Sequence, residues 1–201
     1  MLVNRSQITA VVLAGGRGRR MGGADKGLIE LNGRPLIKHV LAAIAPQVAA
    51  VIVNANRNLD RYAGFGYPVV RDDLAGFQGP LAGFAAAMAA AATPYILTLP
   101  CDGPLLPADY LQTMSAALEN DDAELAVAHN GNRLQPVYAL LPCTLRPSLV
   151  AYLNNGDRKI DLWYATQRMA LADFSHCPEV FRNINTPDER DRLMRESKHN
   201  S

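Results

Sequence analysis

The chain has few cysteines, and their spacing gives no pattern that would pair them. Cys101, Cys143 and Cys177 are the three cysteines in 201 residues, an odd number without a C-x-x-C spacing. This argues against a disulfide framework and favours a reducing compartment. We therefore predict a cytoplasmic protein.

Long hydrophobic runs are also lacking. The longest apolar stretch, at residues 84–92, is mostly alanine, and it is well short of the roughly 20 residues that a membrane-spanning helix needs. The first residues lack the basic region, the long apolar region and the small-residue cleavage site of a signal peptide. We expect no membrane partner.

A strong net charge is absent as well. The chain carries 20 Lys and Arg against 19 Asp and Glu, a formal net charge of +1, so no overall field attracts nucleic acid. Positive charge is concentrated locally instead, at Arg17, Arg19 and Arg20. A small anionic ligand is the better inference, and we expect no nucleic-acid partner.

Strand-like and helix-like segments alternate along the chain, without repeats or a Pro/Ser-rich linker. This alternation predicts an α/β fold: a single three-layer, Rossmann-like domain over residues 1–201, with a mostly parallel central sheet and a disordered tail at 196–201. Strands are predicted at residues 8–13, 51–53, 69–70, 95–99, 124–128, 136–140 and 181–184. Helices are predicted at residues 36–44, from 80, from 107, at 145–153, at 160–169 and from 186.

The most informative segment is residues 12–26, where a buried strand leads into a loop with five glycines, three arginines and a lysine. Glycine lets the backbone approach a ligand closely and direct N–H groups at it. Arginine and lysine supply charged donors for phosphate oxygens. The segment predicts a nucleoside triphosphate site at the carboxyl edge of the sheet, and the alternative is a flexible basic turn.

Two familiar phosphate-binding motifs do not fit this loop. A Walker loop needs Gly-Lys followed by Ser or Thr, whereas Lys26 is followed by Gly27. The dinucleotide fingerprint needs a third glycine where Met21 stands, and an acidic residue where the second strand ends in Asn54. A Rossmann oxidoreductase is therefore a weak alternative.

Asp102 comes directly after the predicted fourth strand, where parallel strands would place it beside the loop. Mg²⁺ takes one or two protein carboxylates together with substrate phosphates, so we predict that Asp102 binds magnesium. The alternative is a turn-forming aspartate, since Asp-Gly-Pro is turn chemistry by itself. For Cys101, a small packing residue is a better interpretation than a nucleophile, because no partner histidine is evident.

Polar side chains follow other strands. Asn54 offers a donor and an acceptor to a base or ribose. Asp72 is either a ligand for ribose, guanine N–H groups or water, or a solvated turn residue. Asn183 and Asn185 stand at alternate positions of the predicted last strand, so their side chains are expected on one face, where one of them could complete the metal shell.

Three motifs together resemble the molybdenum cofactor guanylyltransferase family: L-A-G-G-x-x-x-R-M-G-G-x-D-K at 13–26, P-C-D at 100–102 and N-x-N-T-P at 183–187. The first motif alone marks the wider nucleotidyltransferase superfamily. The match spans nearly the whole chain.

This resemblance implies a nucleotidyltransferase domain that joins GMP from GTP to the terminal phosphate of molybdenum-loaded molybdopterin and releases pyrophosphate. It implies Mg²⁺ as cofactor. Implied partners are GTP and Mo-molybdopterin, with other cofactor-biosynthesis proteins and apo-molybdoenzymes or their chaperones. The residues that it implies for GTP binding are Leu13, Ala14, Gly15, Lys26, Asn54, Asp72 and Asp102, with Asp102 also holding the metal.

For the chemistry, Asp102, Lys26 and Arg20 are the predicted catalytic residues, the last two stabilising the departing pyrophosphate. Candidates for binding the second anionic substrate are weaker: Arg133, Gln135, Arg158 and Lys159. The alternatives are a cytidylyl- or sugar-phosphate nucleotidyltransferase, and a GTP-binding delivery module without chemistry.

Overall fold

The computed structural model describes residues 3–14, 25–73, 79–120, 122–184, 186, 188–192 and 195. The strands within these ranges are β1 Ile8–Leu13, β2 Glu30–Leu31, β3 Arg34–Pro35, β4 Ala50–Asn54, β5 Val69–Val70, β6 Tyr95–Pro100, β7 Leu125–His129, β8 Leu134–Pro142 and β9 Met169–Asp173. The helices are α1 Leu36–Ile44, α2 Leu59–Ala63, α3 Pro80–Ala90, α4 Tyr110–Asn120, α5 Arg146–Asn154 and α6 Ile160–Tyr164. The predicted tail at 196–201 lies outside the described residues.

Seven of these strands form the central sheet, in the order β5-β4-β1-β6-β8-β7-β9. The first four are mutually parallel, β8 runs antiparallel to both of its neighbours, and β7 and β9 are parallel to each other. The predicted mostly parallel sheet is therefore confirmed.

Strand β1 lies at the centre of the parallel half because its residues suit burial on both faces. Its sequence is Ile-Thr-Ala-Val-Val-Leu, and its first five residues are buried. A continuous run of β-branched and aliphatic residues is typical of a parallel strand covered by helices on both sides. Val12 pairs with Val53 of β4 on one side and with Leu99 of β6 on the other.

Helices cover both faces of the sheet, which confirms the three layers. Helices α1 and α4 pack on one face through Ile37, Val40, Met114 and other apolar residues. Helices α3, α5 and α6 pack on the opposite face, where Trp163 is among the largest buried side chains. None of the described helices has the length and apolarity to cross a membrane.

Two predictions near the C-terminus are wrong. The helix predicted over 160–169 ends at Tyr164, and β9 follows it at Met169–Asp173 with alternating burial. The predicted strand at 181–184 is also incorrect, because a 3-10 helix occupies Pro178–Phe181 and irregular backbone follows. Pro178 lies in the first turn of that helix, where its missing N–H costs nothing.

Gly83 of helix α3 lets this helix approach the end of β1 and β4. A Cβ at this position would lie 2.9 Å from Leu13 Cδ2 and still closer to the side-chain oxygen of Asn54. Both contacts are shorter than carbon and oxygen atoms tolerate, so the helix could pack this closely only with glycine at position 83. The position of the Asn54 side chain therefore depends on this glycine.

We predict that Gly83→Ala destabilises the protein by about 1–3 kcal/mol, because the added methyl group overpacks this contact. The sign of this change in stability is diagnostic, because Gly→Ala in a helix interior otherwise stabilises a protein by up to about 1 kcal/mol. Urea unfolding would measure it, with Ala89→Gly at an exposed position of the same helix as the control. A Gly83→Ala protein more stable than the wild type would contradict the prediction.

Candidate functional site

The ends of β1, β4 and β6 lie side by side at the carboxyl edge of the sheet. Leu13 is in register with Asn54 on one side and with Pro100 on the other. Beyond the strands, the Ala14 N–H donates to the Asn54 carbonyl at 2.8 Å, and the Cys101 N–H donates to the Leu13 carbonyl at 3.1 Å. The expectation that these three strand ends meet at one edge is confirmed.

An ion pair between Lys26 and Asp102 lies at this edge. Lys26 Nζ is 3.0 Å from Asp102 Oδ2, and the side chains are 24% and 8% exposed. Lys26 thus lies beside the end of β6, the strand next to β1. Because the carboxylate is nearly buried, this charged hydrogen bond is less screened than a surface ion pair.

The P-C-D and N-x-N-T-P motifs also meet in space. The Ile184 N–H donates to the Asp102 carbonyl at 2.9 Å, and the Tyr138 hydroxyl donates to Asn183 Oδ1 at 3.3 Å. Gly103 makes this approach possible, since a Cβ there would collide with the Tyr138 hydroxyl. Asn183 is therefore near Asp102 through irregular backbone, and the argument from an alternating strand was wrong.

Asn54 and Asp72 are joined by hydrogen bonds across β4 and the end of β5. Asn54 Nδ2 donates to Asp72 Oδ1 at 2.9 Å, and Asn56 Nδ2 donates to Asp72 Oδ2 at 2.8 Å. The Asp72 N–H donates in turn to Asn56 Oδ1 at 2.9 Å. Asp72 is thus half-buried and held on both carboxylate oxygens.

A second buried carboxyl group, Asp25, was missed by the sequence predictions. Its side chain is 5% exposed and lies 3.3 Å from Arg57 Nε. It accepts hydrogen bonds from Asn58 Nδ2 at 2.8 Å and from the Tyr62 hydroxyl at 2.5 Å. These contacts attach the chain just before Lys26 to helix α2 and the turn that precedes it. Nothing in the sequence distinguishes this acid from a solvated loop residue.

The residue after Lys26 is equally constrained. A Cβ on Gly27 would lie 2.7 Å from the Tyr62 hydroxyl oxygen and 3.1 Å from Cys101 Sγ. Cys101 is buried, and burial and the Asp102 carboxylate raise the pKa of its thiol well above the usual range. A thiol held in its neutral form is a poor nucleophile, so the interpretation of Cys101 as a packing residue is confirmed.

Several predicted residues cannot be placed. Gly15, Arg20 and the rest of the loop at 15–24 lie outside the described residues, as does Asn185. Leu13 and Ala14 lie at the edge as expected.

The candidates for the second substrate differ in burial. Gln135 is buried in β8, whereas Arg133, Arg158 and Lys159 are exposed. Arg158 donates to the Leu153 carbonyl at 2.7 Å. No hydrogen bond or ion pair between described residues joins any of the four to Asp102.

Asp102 is the carboxylate at this edge that suits a metal, because Asp25 and Asp72 are held on both oxygens by neighbouring side chains. No group of three His, Cys, Asp or Glu with the arrangement of a metal site occurs in the described part of the chain. A single carboxylate does not make a complete protein-bound metal site. It fits a cation such as Mg²⁺, which takes its other ligands from substrate phosphates and water.

Three features are typical of α/β nucleotidyltransferases. They are a mostly parallel sheet, a glycine- and arginine-rich sequence after β1, and a carboxylate after the neighbouring strand β6. Comparison with known proteins agrees. Residues 10–171 match the profile of a family described as the MobA-like NTP transferase domain. The chain belongs to this family, and it is a nucleotidyltransferase.

Relatives match over nearly the whole length of the chain. A protein of Shewanella loihica named molybdenum cofactor guanylyltransferase is 52% identical over 193 residues, covering 96% of this chain and 98% of that protein. A protein of the same name from Shewanella sediminis is 53% identical over 187 residues, covering 93% and 95%. Membership in such a family is consistent with use of a divalent metal.

Solved structures share the fold. The molybdopterin-guanine dinucleotide biosynthesis protein A of Archaeoglobus fulgidus superposes with a TM-score of 0.79 at 22% identity, over 95% of this chain and 99% of that one. The 4-diphosphocytidyl-2C-methyl-D-erythritol synthase of Anaerococcus prevotii gives 0.74 at 10% identity, over 96% of each chain. At these identities the likeness concerns the fold alone.

We predict that Tyr62→Phe destabilises the protein by about 1–3 kcal/mol, because it leaves the buried Asp25 carboxyl without one of its donors. Chemical unfolding would measure the change. Tyr67→Phe, at a half-buried tyrosine nearby in sequence, is the matched control and should cost less than about 0.5 kcal/mol. Equal stabilities of the two variants would contradict the role assigned to the Tyr62 hydroxyl.

Proposed function

We propose that this protein transfers GMP from GTP to the terminal phosphate of molybdenum-loaded molybdopterin, forming the guanine dinucleotide cofactor and releasing pyrophosphate. The observation that carries the proposal is the Lys26–Asp102 pair at the carboxyl edge, in a chain that is 52% identical over 96% of its length to a molybdenum cofactor guanylyltransferase. We take residues 1–201 as one catalytic domain that works in the cytoplasm.

We propose Mg²⁺ as the divalent metal and Asp102 as the residue that would hold it. When bound, Mg²⁺ would neutralise charge on the α-phosphate of GTP. Asp102 suits this role because it is nearly buried and its backbone is held on both sides, by the Cys101 N–H and by the Ile184 N–H. A fixed carboxylate loses little orientational freedom when it binds a cation.

Lys26 would bind the β- and γ-phosphates and, with Arg20, stabilise the negative charge of the departing pyrophosphate. Its ammonium already points to the edge where the triphosphate would lie, as its contact with Asp102 shows. No general base is needed, because the attacking oxygen belongs to a phosphate that is already ionised near neutral pH.

The backbone of Leu13, Ala14 and Gly15 is proposed to contact GTP. The Ala14 N–H already donates to the Asn54 carbonyl, so Ala14 would contact GTP through its carbonyl oxygen. A carbonyl accepts from N–H groups, which guanine presents at N1 and N2. Asn54 and Asp72, fixed to each other at 2.9 Å, offer further polar atoms to the base or the ribose.

The same fold occurs in the diphosphocytidyl-methylerythritol synthase of Anaerococcus prevotii, so a related cytidylyltransferase is the second candidate. Partner proteins are proposed to be other cofactor-biosynthesis proteins and apo-molybdoenzymes or their chaperones.

We predict that, with Mg²⁺ and Mo-molybdopterin, GTP releases pyrophosphate with a kcat/KM about 10²-fold or more above that of CTP, ATP and UTP. A site that hydrogen-bonds guanine loses those bonds with another base. A coupled pyrophosphate assay would measure the rates, and detection of the guanine dinucleotide would identify the product. Preference for CTP would support the second candidate, and no pyrophosphate from any nucleotide would support a delivery module.

We predict that Asp102→Asn lowers turnover by about 10²-fold or more, because the amide keeps the volume but loses the charge that binds the metal. Circular dichroism should show an unchanged fold. Asp109→Asn is the matched control, since it removes the same charge at an exposed position, and it should retain wild-type turnover. Full Mg²⁺-dependent activity of Asp102→Asn would overturn the proposed metal site.

A further inference from the structure

The Asp102 carboxylate at the carboxyl edge can be bound by two different cations, Lys26 and the proposed metal. Lys26 Nζ lies 3.0 Å from Asp102 Oδ2, at the distance of a charged hydrogen bond. The same carboxylate is the one that the proposed function gives to the divalent metal. Lys26 and the metal therefore compete for Asp102, or share it at the cost of mutual repulsion.

The charges at the edge make this competition unequal. Asp25 and Asp72 also lie near this edge, but Asp25 is held by Arg57, Asn58 and Tyr62, and Asp72 by Asn54 and Asn56. The charge of Asp102 is paired with the Lys26 ammonium. A free divalent cation would gain one carboxylate and meet one positive charge, so the site attracts it weakly. A metal–triphosphate complex carries net negative charge instead, and its phosphate oxygens are new acceptors for the lysine.

The backbone on both sides of Lys26 is held in place, so the ammonium is directed to Asp102. Asp25 is fixed by Asn58 and Tyr62, and Gly27 packs against Tyr62 and Cys101 with no room for a Cβ. Because the backbone is held, Lys26 would leave Asp102 by rotation of its side chain. A long, flexible side chain on an immobile backbone suits a cation that moves between two anionic partners.

We propose that Lys26 is the counter-ion that keeps free divalent cations from Asp102, and that the triphosphate releases it by offering its own oxygens. The metal then binds together with the nucleotide rather than before it. This role of Lys26 is additional to stabilising the pyrophosphate. It rests on the proposed function, because it requires Asp102 to hold the metal.

The test is a titration with Mn²⁺ alone, in which electron paramagnetic resonance measures the unbound ion without any nucleotide present. Lys26→Met keeps the length of the side chain and removes its charge. This variant should bind Mn²⁺ at least about 10-fold more tightly than the wild type, a difference of about 1.4 kcal/mol. Lys26→Arg should remain as weak as the wild type. Lys38→Met, at an exposed lysine of α1, is the matched control and should change nothing.

The metal presented as its GTP complex should not show this gain. The Mn²⁺–GTP complex should bind the wild type at least as tightly as Lys26→Met, because the variant has lost a contact to the phosphates. Adding Asp102→Asn to Lys26→Met should remove the gain in Mn²⁺ affinity. Lys26→Gln repeats both titrations if the methionine variant does not fold.

Mn²⁺ binding by Lys26→Met that is no tighter than in the wild type would overturn the proposal. A gain that survives Asp102→Asn would also overturn it, because the added affinity would then lie elsewhere. Tighter binding of both free and GTP-bound Mn²⁺ by the variant would contradict release by the triphosphate. The titration without nucleotide does not depend on which nucleotide or acceptor the enzyme uses. Failure of this proposal can therefore be told apart from failure of the proposed guanylyl transfer.

Discussion

The charged contact between Lys26 and Asp102 is the interaction on which the candidate site depends. A nearly buried carboxylate is costly unless a partner compensates its charge, and Lys26 supplies that compensation at 3.0 Å. The pair joins the chain that follows the loop after β1 to the end of β6. Because β1 and β6 are paired directly, the sheet sets where this contact can form. The account of phosphate binding and metal binding follows from its position at the carboxyl edge.

Close packing around the pair explains why segments far apart in sequence meet there. Gly27 packs against Cys101 and Tyr62, and Gly103 packs against Tyr138, with distances that leave no space for a side chain. Asp25 attaches the residue before Lys26 to helix α2. These contacts restrict the backbone of both charged residues. A site for a reacting triphosphate requires this kind of preorganisation.

The sequence predicted the strands that carry the site better than the contacts that hold its side chains in place. β1 and β6 were predictable because a continuous apolar run identifies a buried parallel strand, and strand ends then place Asp102 beside the loop. Asp25 was not predictable, because an acid in a polar loop has the same pattern whether it is solvated or buried against a tyrosine. Strand β9 was missed because Met, Ala and Leu, which form its first four residues, favour a helix over a strand. The contact of Asn183 depends on irregular backbone, which no periodicity reveals.

The central claim is that Asp102 holds a metal in contact with the α-phosphate of GTP. Phosphorothioate GTP, with sulfur at one non-bridging α-oxygen, tests it most directly, because Mg²⁺ binds oxygen in preference to sulfur whereas softer cations accept sulfur. The account predicts that one diastereomer is turned over poorly with Mg²⁺, that Mn²⁺ or Cd²⁺ restores it, and that Asp102→Asn shows no restoration. Equal turnover of both diastereomers with every metal would contradict it.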